Sequence, residues 1–284
     1  MNSILVTGGN GQLGSELREI SHSYPGDNFI FTDVSDLDIT NHAAVKEFIN
    51  SKKISVIINC AAYTAVDKAE SEPKISSAIN HLAVENFAKI AKEKSIKLIH
   101  ISTDYVFDGT NHIPYQETDE PKPQSVYGQT KLDGELAMQK INPENSIIIR
   151  TSWVYSKYGN NFMRTMLSLG SERKELGVIV DQIGTPTYAR DLAKTILEIL
   201  PNINNENIEL FHYSNEGVCS WYDFAIAIFE VKEVEVKVNA IETFQYSTAA
   251  KRPSYSVLNK SKIKNKFQIE IPNWRDSLMV CLKD

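Results

Sequence analysis

The stretch VYGQTKL, residues 126–132, places a tyrosine and a lysine four residues apart. On a helix these positions share one face, so Tyr127 and Lys131 would lie side by side. A phenol with a pKa of about 10 is too weak an acid to exchange protons freely near neutrality. A nearby ammonium favours the phenolate and lowers that pKa. The pair is therefore either a proton donor with the cation that tunes it or an ordinary exposed helix face, and the spacing alone does not decide between the two.

A glycine-rich stretch near the N-terminus predicts a second kind of chemistry. TGGNGQLG, residues 7–14, places glycine at positions 8, 11 and 14 between an apolar run and a helical pattern. Glycines let the turn be tight and bring the backbone close to a phosphate, toward which the next helix directs its N-terminal N–H groups. Asp33, about twenty residues further on, is placed to accept hydrogen bonds from an adenosine ribose. Together these features predict a dinucleotide site; the alternative is a plain tight turn followed by a surface aspartate.

The elements around these motifs alternate between strands and helices. Nearly continuous runs rich in isoleucine and valine predict strands at 4–7, 29–32, 56–59, 98–102 and 147–151. Helical patterns lie between them at 12–22, 43–51, 81–94 and 127–141. This order predicts an α/β fold with a Rossmann-like, doubly wound parallel sheet.

The alternation of strands and helices becomes less regular after Arg150. Helical patterns follow at 162–169, 189–200 and 221–229, with Ser220 as the N-cap of the last one. Prolines at positions 186, 201, 253 and 272 interrupt this half. We predict a dinucleotide-binding domain over 1–150 that also receives parts of 178–205. Residues 151–284 would form mainly a smaller, interleaved substrate-binding lobe.

Composition narrows the class of protein. The chain has 284 residues and a net charge of −6, which argues against a general nucleic-acid binder. Its three cysteines, Cys60, Cys219 and Cys281, show neither metal-ligand nor disulfide spacing, so we expect buried thiols in a reducing compartment. No signal peptide and no run of about 18 apolar residues is visible, so we expect a cytoplasmic protein without a membrane partner. His81, His100 and His112 lack metal-site spacing and are interpreted as solvated or structural.

Several motifs together resemble a known family. The Gly-x-x-Gly-x-x-Gly spacing, NCAAYTAVDKAE at 59–70, STDYVFDG at 102–109 and VYGQTKL resemble the extended short-chain dehydrogenase/reductase superfamily, in the branch that acts on nucleotide sugars. Six motifs narrow the match: DYVFDG, RTSWVY at 150–155, GNNF at 159–162, DQIGTPT at 181–187, SWYDFA at 220–225 and RPSYSVL at 252–258. In this order they resemble the family of dTDP-4-dehydrorhamnose reductases over nearly the whole chain.

The resemblance implies a function and a set of roles. The reaction would be NAD(P)H-dependent reduction of the 4-keto group of dTDP-4-dehydro-L-rhamnose. Tyr127 would donate the proton, Lys131 would orient the nicotinamide ribose, and Thr103 would hold the keto oxygen. Two alternatives stay open: reduction of a related nucleotide-linked 4-keto-6-deoxy sugar, and a non-catalytic regulatory subunit of the same fold. A homodimer is also left open.

The same resemblance implies the binding residues. Asp104 and Trp153 would contact the sugar, with a loop cap and a core tryptophan as the respective alternatives. Arg252 would bind the diphosphate, or else form a surface salt bridge. The expected cofactor-binding set is Gly8, Gly11, Gln12, Leu13, Gly14, Asp33, Asp38, Ile39, Ala61, Ala62, Tyr63, Thr64, Tyr127 and Lys131.

Two further expectations concern ions. Some members of the family have a divalent metal at a subunit contact, for which Glu16 and Asp191 are candidate remnants. Arg190 weakens such a carboxylate cage, so we expect no metal.

Asp33 would repel the 2′-phosphate of NADPH, and Arg18 is the one nearby cation that could offset it. Between NADPH and NADH, we therefore expect NADH to work at least as well.

Overall fold

The computed structural model describes residues 2–283 and contains a six-stranded parallel sheet in the order β10-β5-β4-β3-β1-β2. The strands of the described chain are β1 Ser3–Thr7, β2 Asn28–Thr32, β3 Val56–Asn59, β4 Lys97–Thr103, β5 Ser146–Thr151, β6 Val154–Tyr155, β7 Glu175–Ile179, β8 Ile183–Gly184, β9 Thr187–Tyr188, β10 Glu209–His212, β11 Cys219–Ser220 and β12 Lys237–Ile241. The α-helices are α1 Gln12–Ile20, α2 His42–Ser51, α3 Val66–Ala69, α4 Pro73–Ser77, α5 Ala83–Lys94, α6 Val126–Ile141, α7 Phe162–Glu172, α8 Ala189–Ile199, α9 Trp221–Lys232, α10 Ser261–Phe267 and α11 Trp274–Lys283. Short 3-10 turns lie at Ser21–Ser23, Asp104–Val106, Leu200–Asn202 and Thr243–Gln245, and a π-helical turn lies at Ala78–Leu82.

The central sheet confirms the predicted α/β fold, and both of its faces are covered. Every residue of β3 and of β5 is buried, as expected for strands packed on two sides. Helices α1 and α8 cover one face and share an apolar cluster with the sheet. Helices α2, α5 and α6 cover the other. The sequence-predicted strands all form, with ends shifted by one residue at most.

One strand of this sheet, β10, was not predicted from the sequence. β10 reads ELFH and pairs in parallel with β5, so that Phe211 lies beside Ile149. A four-residue strand that begins with glutamate and ends with histidine lacks the apolar run by which the other strands are recognised. The strand therefore lies outside both segments, 1–150 and 178–205, that we assign to the dinucleotide-binding domain.

The helix predicted at 81–94 begins earlier than its pattern indicates. The helical run starts at Pro73, and the π-helical turn joins α4 to α5. Asn80, in this turn, is buried, and its side chain accepts from the Tyr63 N–H at 2.8 Å and donates to the hydroxyl of Thr130 at 3.2 Å. Its backbone carbonyl lies against Gly134 of α6, where a Cβ would come within 2.2 Å. This close packing explains the extra residue in the turn, which displaces the apolar periodicity.

The remaining chain forms a smaller lobe beside the carboxyl ends of the sheet strands. Its apolar cluster joins α7, α9 and α11 with the two-stranded pairs β7–β12 and β6–β9. The predicted N-cap of α9 is confirmed: the Ser220 hydroxyl accepts from the Asp223 N–H at 3.0 Å, and the Asp223 carboxylate accepts from the Ser220 N–H at 2.9 Å. Across residues 2–283, none of the helices combines the length and the apolar character needed to cross a bilayer.

Candidate active site

A cavity of about 620 Å³ lies at the carboxyl ends of strands β1 to β5, where the two lobes meet. Open α/β sheets bind ligands at this edge. Among the described residues, the lining includes most of the predicted site: Gly8, Gly11, Gln12, Leu13, Asp33, Asp38, Ile39, Ala61, Ala62, Thr64, Thr103, Asp104, Tyr127, Lys131 and Trp153. Of the predicted residues, Gly14, Tyr63 and Arg252 lie outside this lining.

The glycine-rich turn packs tightly against neighbouring backbone and borders the cavity through Gly8 and Gly11. Gly8 has a φ of +64°, and a Cβ there would lie 2.8 Å from the Ala61 nitrogen. The Gly11 N–H donates to the Gly8 carbonyl at 3.0 Å, which closes the turn. Gly14 packs the first helical turn against this loop, since its Cβ would meet the Gly8 oxygen at 2.2 Å. Gly14 therefore shapes the turn from behind, and its place in the cofactor-binding set stays a prediction.

The Asp33 side chain is hydrogen-bonded to the glycine-rich turn. Its carboxylate accepts from the backbone N–H groups of Asn10 at 3.1 Å and Val34 at 2.8 Å. Arg18 lies nearby: its guanidinium donates to the Asn10 side chain at 3.4 Å and sits 5.0 Å from the centre of the Phe31 ring. Asp38, further along the wall, accepts from the N–H and hydroxyl of Thr40, and these hydrogen bonds lower its pKa.

The side chain of Tyr63 points away from the cavity. Its phenol donates to Glu72 at 2.5 Å, and that hydrogen bond raises the pKa of Tyr63 to about 12. Ala61, Ala62 and Thr64, on either side of it, do line the cavity. Tyr63 thus makes a structural hydrogen bond in this fold, and its expected cofactor contact stays a prediction.

Three elements bring the reactive side chains together. Thr103 ends β4 and caps the following 3-10 turn by accepting from the Tyr105 N–H at 3.2 Å. The Ser125 hydroxyl caps α6 by accepting from the Gly128 N–H at 3.1 Å. A Cβ on Gly128 would come within 2.2 Å of the Tyr105 carbonyl oxygen, so this glycine lets the start of α6 press against the turn. As a result Tyr127 lies within hydrogen-bonding reach of Thr103.

Burial controls the ionisation of the central pair. It raises the pKa of Tyr127 to about 12, with the hydrogen bond between Tyr127 and Thr103 opposing the shift and the charge of Asp104 adding to it. Burial also lowers the pKa of Lys131 to about 8, against the opposing charge of Glu135. The Lys131 ammonium donates to the Ile101 carbonyl at 2.6 Å. The net shift of the phenol's pKa is therefore upward, opposite to the lowering expected from this lysine, because desolvation dominates.

Asp104 and Trp153, the two residues expected at the sugar, both line the cavity. Asp104 is buried, accepts from the Thr103 hydroxyl at 3.0 Å, and has its pKa raised to about 6, mainly by burial. Trp153 stacks on Trp221 with ring centres 3.5 Å apart and an angle of 8° between the planes. Its other edge lies over Gly184, where a Cβ would approach to 2.6 Å. Trp153 also has a φ of +49°, a costly conformation for a bulky residue.

Arg252 forms the salt bridge that the sequence left as an alternative. Its two terminal nitrogens contact the Asp67 carboxylate at 3.1 and 2.6 Å. The Ala250 N–H donates to the same carboxylate at 3.0 Å, so Asp67 fastens the loop that carries Arg252. Sequence reasoning did not assign a role to Asp67, although it lies within a quoted motif.

Other lining residues also went unassigned. Tyr105 follows Asp104 and packs its ring edge-on against Tyr127, with centres 5.4 Å apart. Gly159 and Asn160 line the cavity from the GNNF motif, and the neighbouring Asn161 side chain donates to Gln12 at 3.0 Å. Tyr105 lies in the DYVFDG motif and residues 159–161 lie in the GNNF motif. Membership in these two motifs was the sequence signal that could have identified them.

The two carboxylates considered for a metal have other partners. Glu16 accepts from the Ser156 hydroxyl at 2.5 Å. Asp191 accepts from Asn215 at 2.8 Å and from Ser277 at 2.5 Å. Within residues 2–283, no group of three or more histidine, cysteine, aspartate or glutamate side chains is arranged to hold a metal ion.

A glycine-rich turn, an acid after the second strand and a Thr–Tyr–Lys set around one cavity define a dinucleotide-dependent oxidoreductase of the short-chain type. The chain belongs to the RmlD substrate binding domain family, which matches residues 1–284. It is 43% identical to a dTDP-4-dehydrorhamnose reductase of Aggregatibacter actinomycetemcomitans, an alignment that covers 98% of this chain and 97% of the relative.

Solved structures of relatives show the same architecture. The dTDP-4-dehydrorhamnose reductase of Clostridium acetobutylicum superposes with a TM-score of 0.94 at 43% identity, over 99% of this chain and 98% of the other. The one from Bacillus anthracis, solved in complex with NADP, also has a TM-score of 0.94, at 37% identity over 99% of both chains.

Proposed function

We propose that this protein reduces the 4-keto group of dTDP-4-dehydro-L-rhamnose to the hydroxyl of dTDP-L-rhamnose, using NADPH or NADH. The proposal rests chiefly on one observation: Thr103, Tyr127, Lys131 and Trp153 line the same cavity as the glycine-rich turn. A reductase needs a cofactor site, a proton donor and a sugar platform within reach of one another. The names of relatives that align over nearly the full length support the substrate. A non-catalytic subunit would not need this complete set.

The residues present fit a nicotinamide dinucleotide. Cβ atoms at Gly8 or Gly14 would collide with neighbouring backbone, so glycine is needed for the tight turn, and Gly8 and Gly11 of that turn border the cavity where a diphosphate would lie. Asp33 and Asp38 line one part of the cavity, and Tyr127 and Lys131 line another. When bound, the reduced nicotinamide supplies a hydride to the keto carbon. The Bacillus anthracis relative was crystallised with NADP.

Tyr127 is proposed to give a proton to the oxygen of the reduced sugar. Because burial raises its pKa to about 12, the phenol keeps its proton at neutral pH until a stronger base appears. The alkoxide that follows hydride addition is such a base. Lys131 then stabilises the phenolate that is left, and Thr103 holds the keto oxygen toward Tyr127. The Thr103 hydroxyl donates to Asp104 in this structure, so substrate binding must redirect that hydrogen bond.

The substrate is proposed to lie between the aromatic platform and the loop that carries Arg252. The stacked Trp153 and Trp221 rings offer a flat apolar surface to a deoxy sugar. Arg252 has the planar fork that binds phosphate oxygens in pairs. Because Asp67 holds that fork in the present structure, a diphosphate would have to compete with the carboxylate.

The domain division is proposed on the same grounds. Residues 1–150, with parts of 178–205 and strand β10, would bind the dinucleotide. Most of 151–284 would bind the sugar nucleotide. The homodimer and the cytoplasmic location stay predictions, which light scattering of the pure protein and cell fractionation would test.

The deciding experiment is a reductase assay with the purified protein. The protein is mixed with dTDP-4-dehydro-L-rhamnose and NADPH or NADH, and loss of the near-ultraviolet absorbance of the reduced cofactor is followed. Mass spectrometry should show a product two hydrogens heavier than the substrate, and Tyr127→Phe serves as the matched control. Absence of cofactor oxidation with both NADPH and NADH would refute the proposal. Faster turnover of a UDP-linked or differently configured 4-keto-6-deoxy sugar would change the substrate.

A further inference from the structure

A chain of polar side chains runs through the centre of the sheet to the catalytic lysine. His100, in the middle of β4, is completely buried. Its Nδ1 lies 3.0 Å from the Asn59 Nδ2 atom, and its Nε2 lies 3.4 Å from the Lys131 Nζ atom. Beyond Asn59, the Thr7 hydroxyl lies 2.7 Å from Oδ1 of the same amide. Residues on β1, β3 and β4 are thereby linked to helix α6.

The surroundings of Lys131 leave His100 as a neutral partner. The charged or titratable groups facing the ammonium are Glu135 and Tyr127 on its own helix, Cys60 after β3, and His100 on β4. Burial raises the pKa of Cys60 to about 12, so this thiol stays neutral. Burial and the charge of Lys131 lower the pKa of His100 well below its ordinary value. A neutral imidazole has one lone pair to offer.

We propose that His100 is a positioning residue whose Nε2 accepts a hydrogen bond from the Lys131 ammonium and keeps that ammonium charged beneath the cofactor site. The Ile101 carbonyl lies 2.6 Å from the same Nζ atom. The buried ammonium therefore has two acceptors outside its own helix, the His100 Nε2 atom and this carbonyl. This inference rests on the proposed reductase function, in which Lys131 must be charged to stabilise the Tyr127 phenolate.

The proposal fixes the direction of every hydrogen bond in the chain. If Nε2 accepts, the proton of the neutral ring is on Nδ1 and must be donated to the Asn59 amide oxygen. The oxygen and nitrogen of an amide exchange places by a half-turn, so the same distances accommodate this orientation. The Asn59 NH₂ group then donates to the Thr7 oxygen. The Thr7 hydroxyl, which lines the cavity, is left free to donate to a bound ligand.

The effect on pH dependence has a definite sign. Burial lowers the pKa of Lys131 to about 8. An accepted hydrogen bond stabilises the charged form, so its removal lowers this pKa further. Hydrogen bonds to charged groups correspond to about one to two pKa units. The alkaline limb of kcat/KM should therefore move to lower pH by about one to two units when the acceptor is lost.

Three substitutions at His100 separate its two ring nitrogens. In His100→Gln the amide reaches the position of Nε2, so it can still accept from Lys131. In His100→Asn the amide reaches only the position of Nδ1, so it keeps the contact with Asn59 and loses the lysine. His100→Leu removes both contacts. The pH profile of kcat/KM is measured for each variant, and thermal melting establishes that each one is folded.

The alkaline limb should move to lower pH in His100→Asn and His100→Leu and stay near the wild-type position in His100→Gln. At a pH above the limb, the first two should lose about ten- to a hundredfold in kcat/KM. An unchanged limb in His100→Asn, equal limbs in the Asn and Gln variants, or a limb at higher pH would overturn the proposal. If His100→Leu does not fold, the Asn and Gln pair still decides.

A second readout does not depend on catalysis. The pKa of Lys131 is measured by NMR of protein with ¹³C at the lysine ε positions, with and without saturating NADP⁺, and Lys131→Met identifies the resonance. A pKa that falls in His100→Asn and not in His100→Gln supports the positioning role even if the wild type reduces none of the sugars tested. A Lys131 pKa that is equal in all variants overturns that role even if the wild type is an active reductase.

Discussion

The preference between NADH and NADPH can be worked out from the charges around Asp33. A 2′-phosphate on the adenosine ribose would approach this carboxylate, which accepts from the N–H groups of Asn10 and Val34. At about 4 Å and an effective dielectric constant near 20, the repulsion between two unit charges is about 4 kcal/mol. The site is half exposed, and salt screening reduces the repulsion to roughly 1–2 kcal/mol. This corresponds to about five- to thirtyfold in relative kcat/KM.

Arg18 opposes this repulsion. Its guanidinium lies over Phe31 and contacts the Asn10 side chain, whose backbone N–H donates to Asp33. An arginine in such a place can bind a 2′-phosphate. We expect NADH to work at least as well as NADPH, because the carboxylate borders the cavity directly and Arg18 is held by the aromatic ring. Asp33→Ala should shift the ratio of kcat/KM toward NADPH by about five- to thirtyfold.

The assay is a pair of titrations with NADPH and NADH at saturating sugar nucleotide, at low and moderate salt. Arg18→Ala should shift the ratio toward NADH, and added salt should reduce the shifts caused by both substitutions. A wild-type kcat/KM for NADPH tenfold above that for NADH would refute the reasoning, since Arg18 or another group would then outweigh Asp33. An unchanged ratio in Asp33→Ala would show that this carboxylate does not meet the ribose.

Three further predictions follow from the site and the core. Tyr127→Phe should lower kcat by about 10²–10⁴, the usual range for a lost general acid, with nearly unchanged cofactor affinity by fluorescence titration. Trp153→Ala should raise KM for the sugar nucleotide in a kinetic titration, while the melting temperature holds, because the ring is half exposed at the cavity. Arg150→Met should destabilise the fold by about 3–5 kcal/mol in urea unfolding, because it leaves the fully buried Glu135 carboxylate without its partner at 2.6 Å.

Each of these has a contrary outcome. Retention of most activity by Tyr127→Phe would mean that another group protonates the alkoxide. A loss of about 3–5 kcal/mol in Trp153→Ala would identify the ring as a core residue. For the buried ion pair, the double variant Arg150→Met/Glu135→Met is the matched control, since it leaves no unpaired charge. An equal free energy of unfolding for wild type and Arg150→Met would contradict the expected cost of burying the Glu135 carboxylate without a partner.

The sequence by itself determined the architecture and most of the cavity. Strand-helix alternation is a local pattern, and runs such as VIIN and SIIIRT can form buried parallel strands whatever their neighbours are. The glycine-rich turn and the Tyr–Lys pair are also local, because helix geometry alone places residues four apart on one face. Thr103 was predicted through the family resemblance of the segment STDYVFDG, which follows the fourth strand of the sheet.

Only the tertiary structure decided which way the remaining side chains face. Tyr63 turns to Glu72 and not to the cavity, and Arg252 pairs with Asp67 across 185 positions of sequence. No local periodicity encodes such pairs, since they depend on how separate elements dock. The same holds for the sixth strand, β10, whose short polar sequence becomes a strand only beside β5.

The ionisation of the catalytic groups is also a tertiary property. From the sequence, Lys131 was expected to lower the pKa of Tyr127, because spacing reveals the nearby charge. Spacing does not reveal desolvation, which raises the pKa of Tyr127 to about 12 and lowers that of Lys131 to about 8. His100 appeared in the sequence as an unremarkable strand residue. His100 and Lys131 are in contact because β4 packs against α6 in the folded protein. Neither this contact nor the burial of the two side chains can be recognised from local sequence.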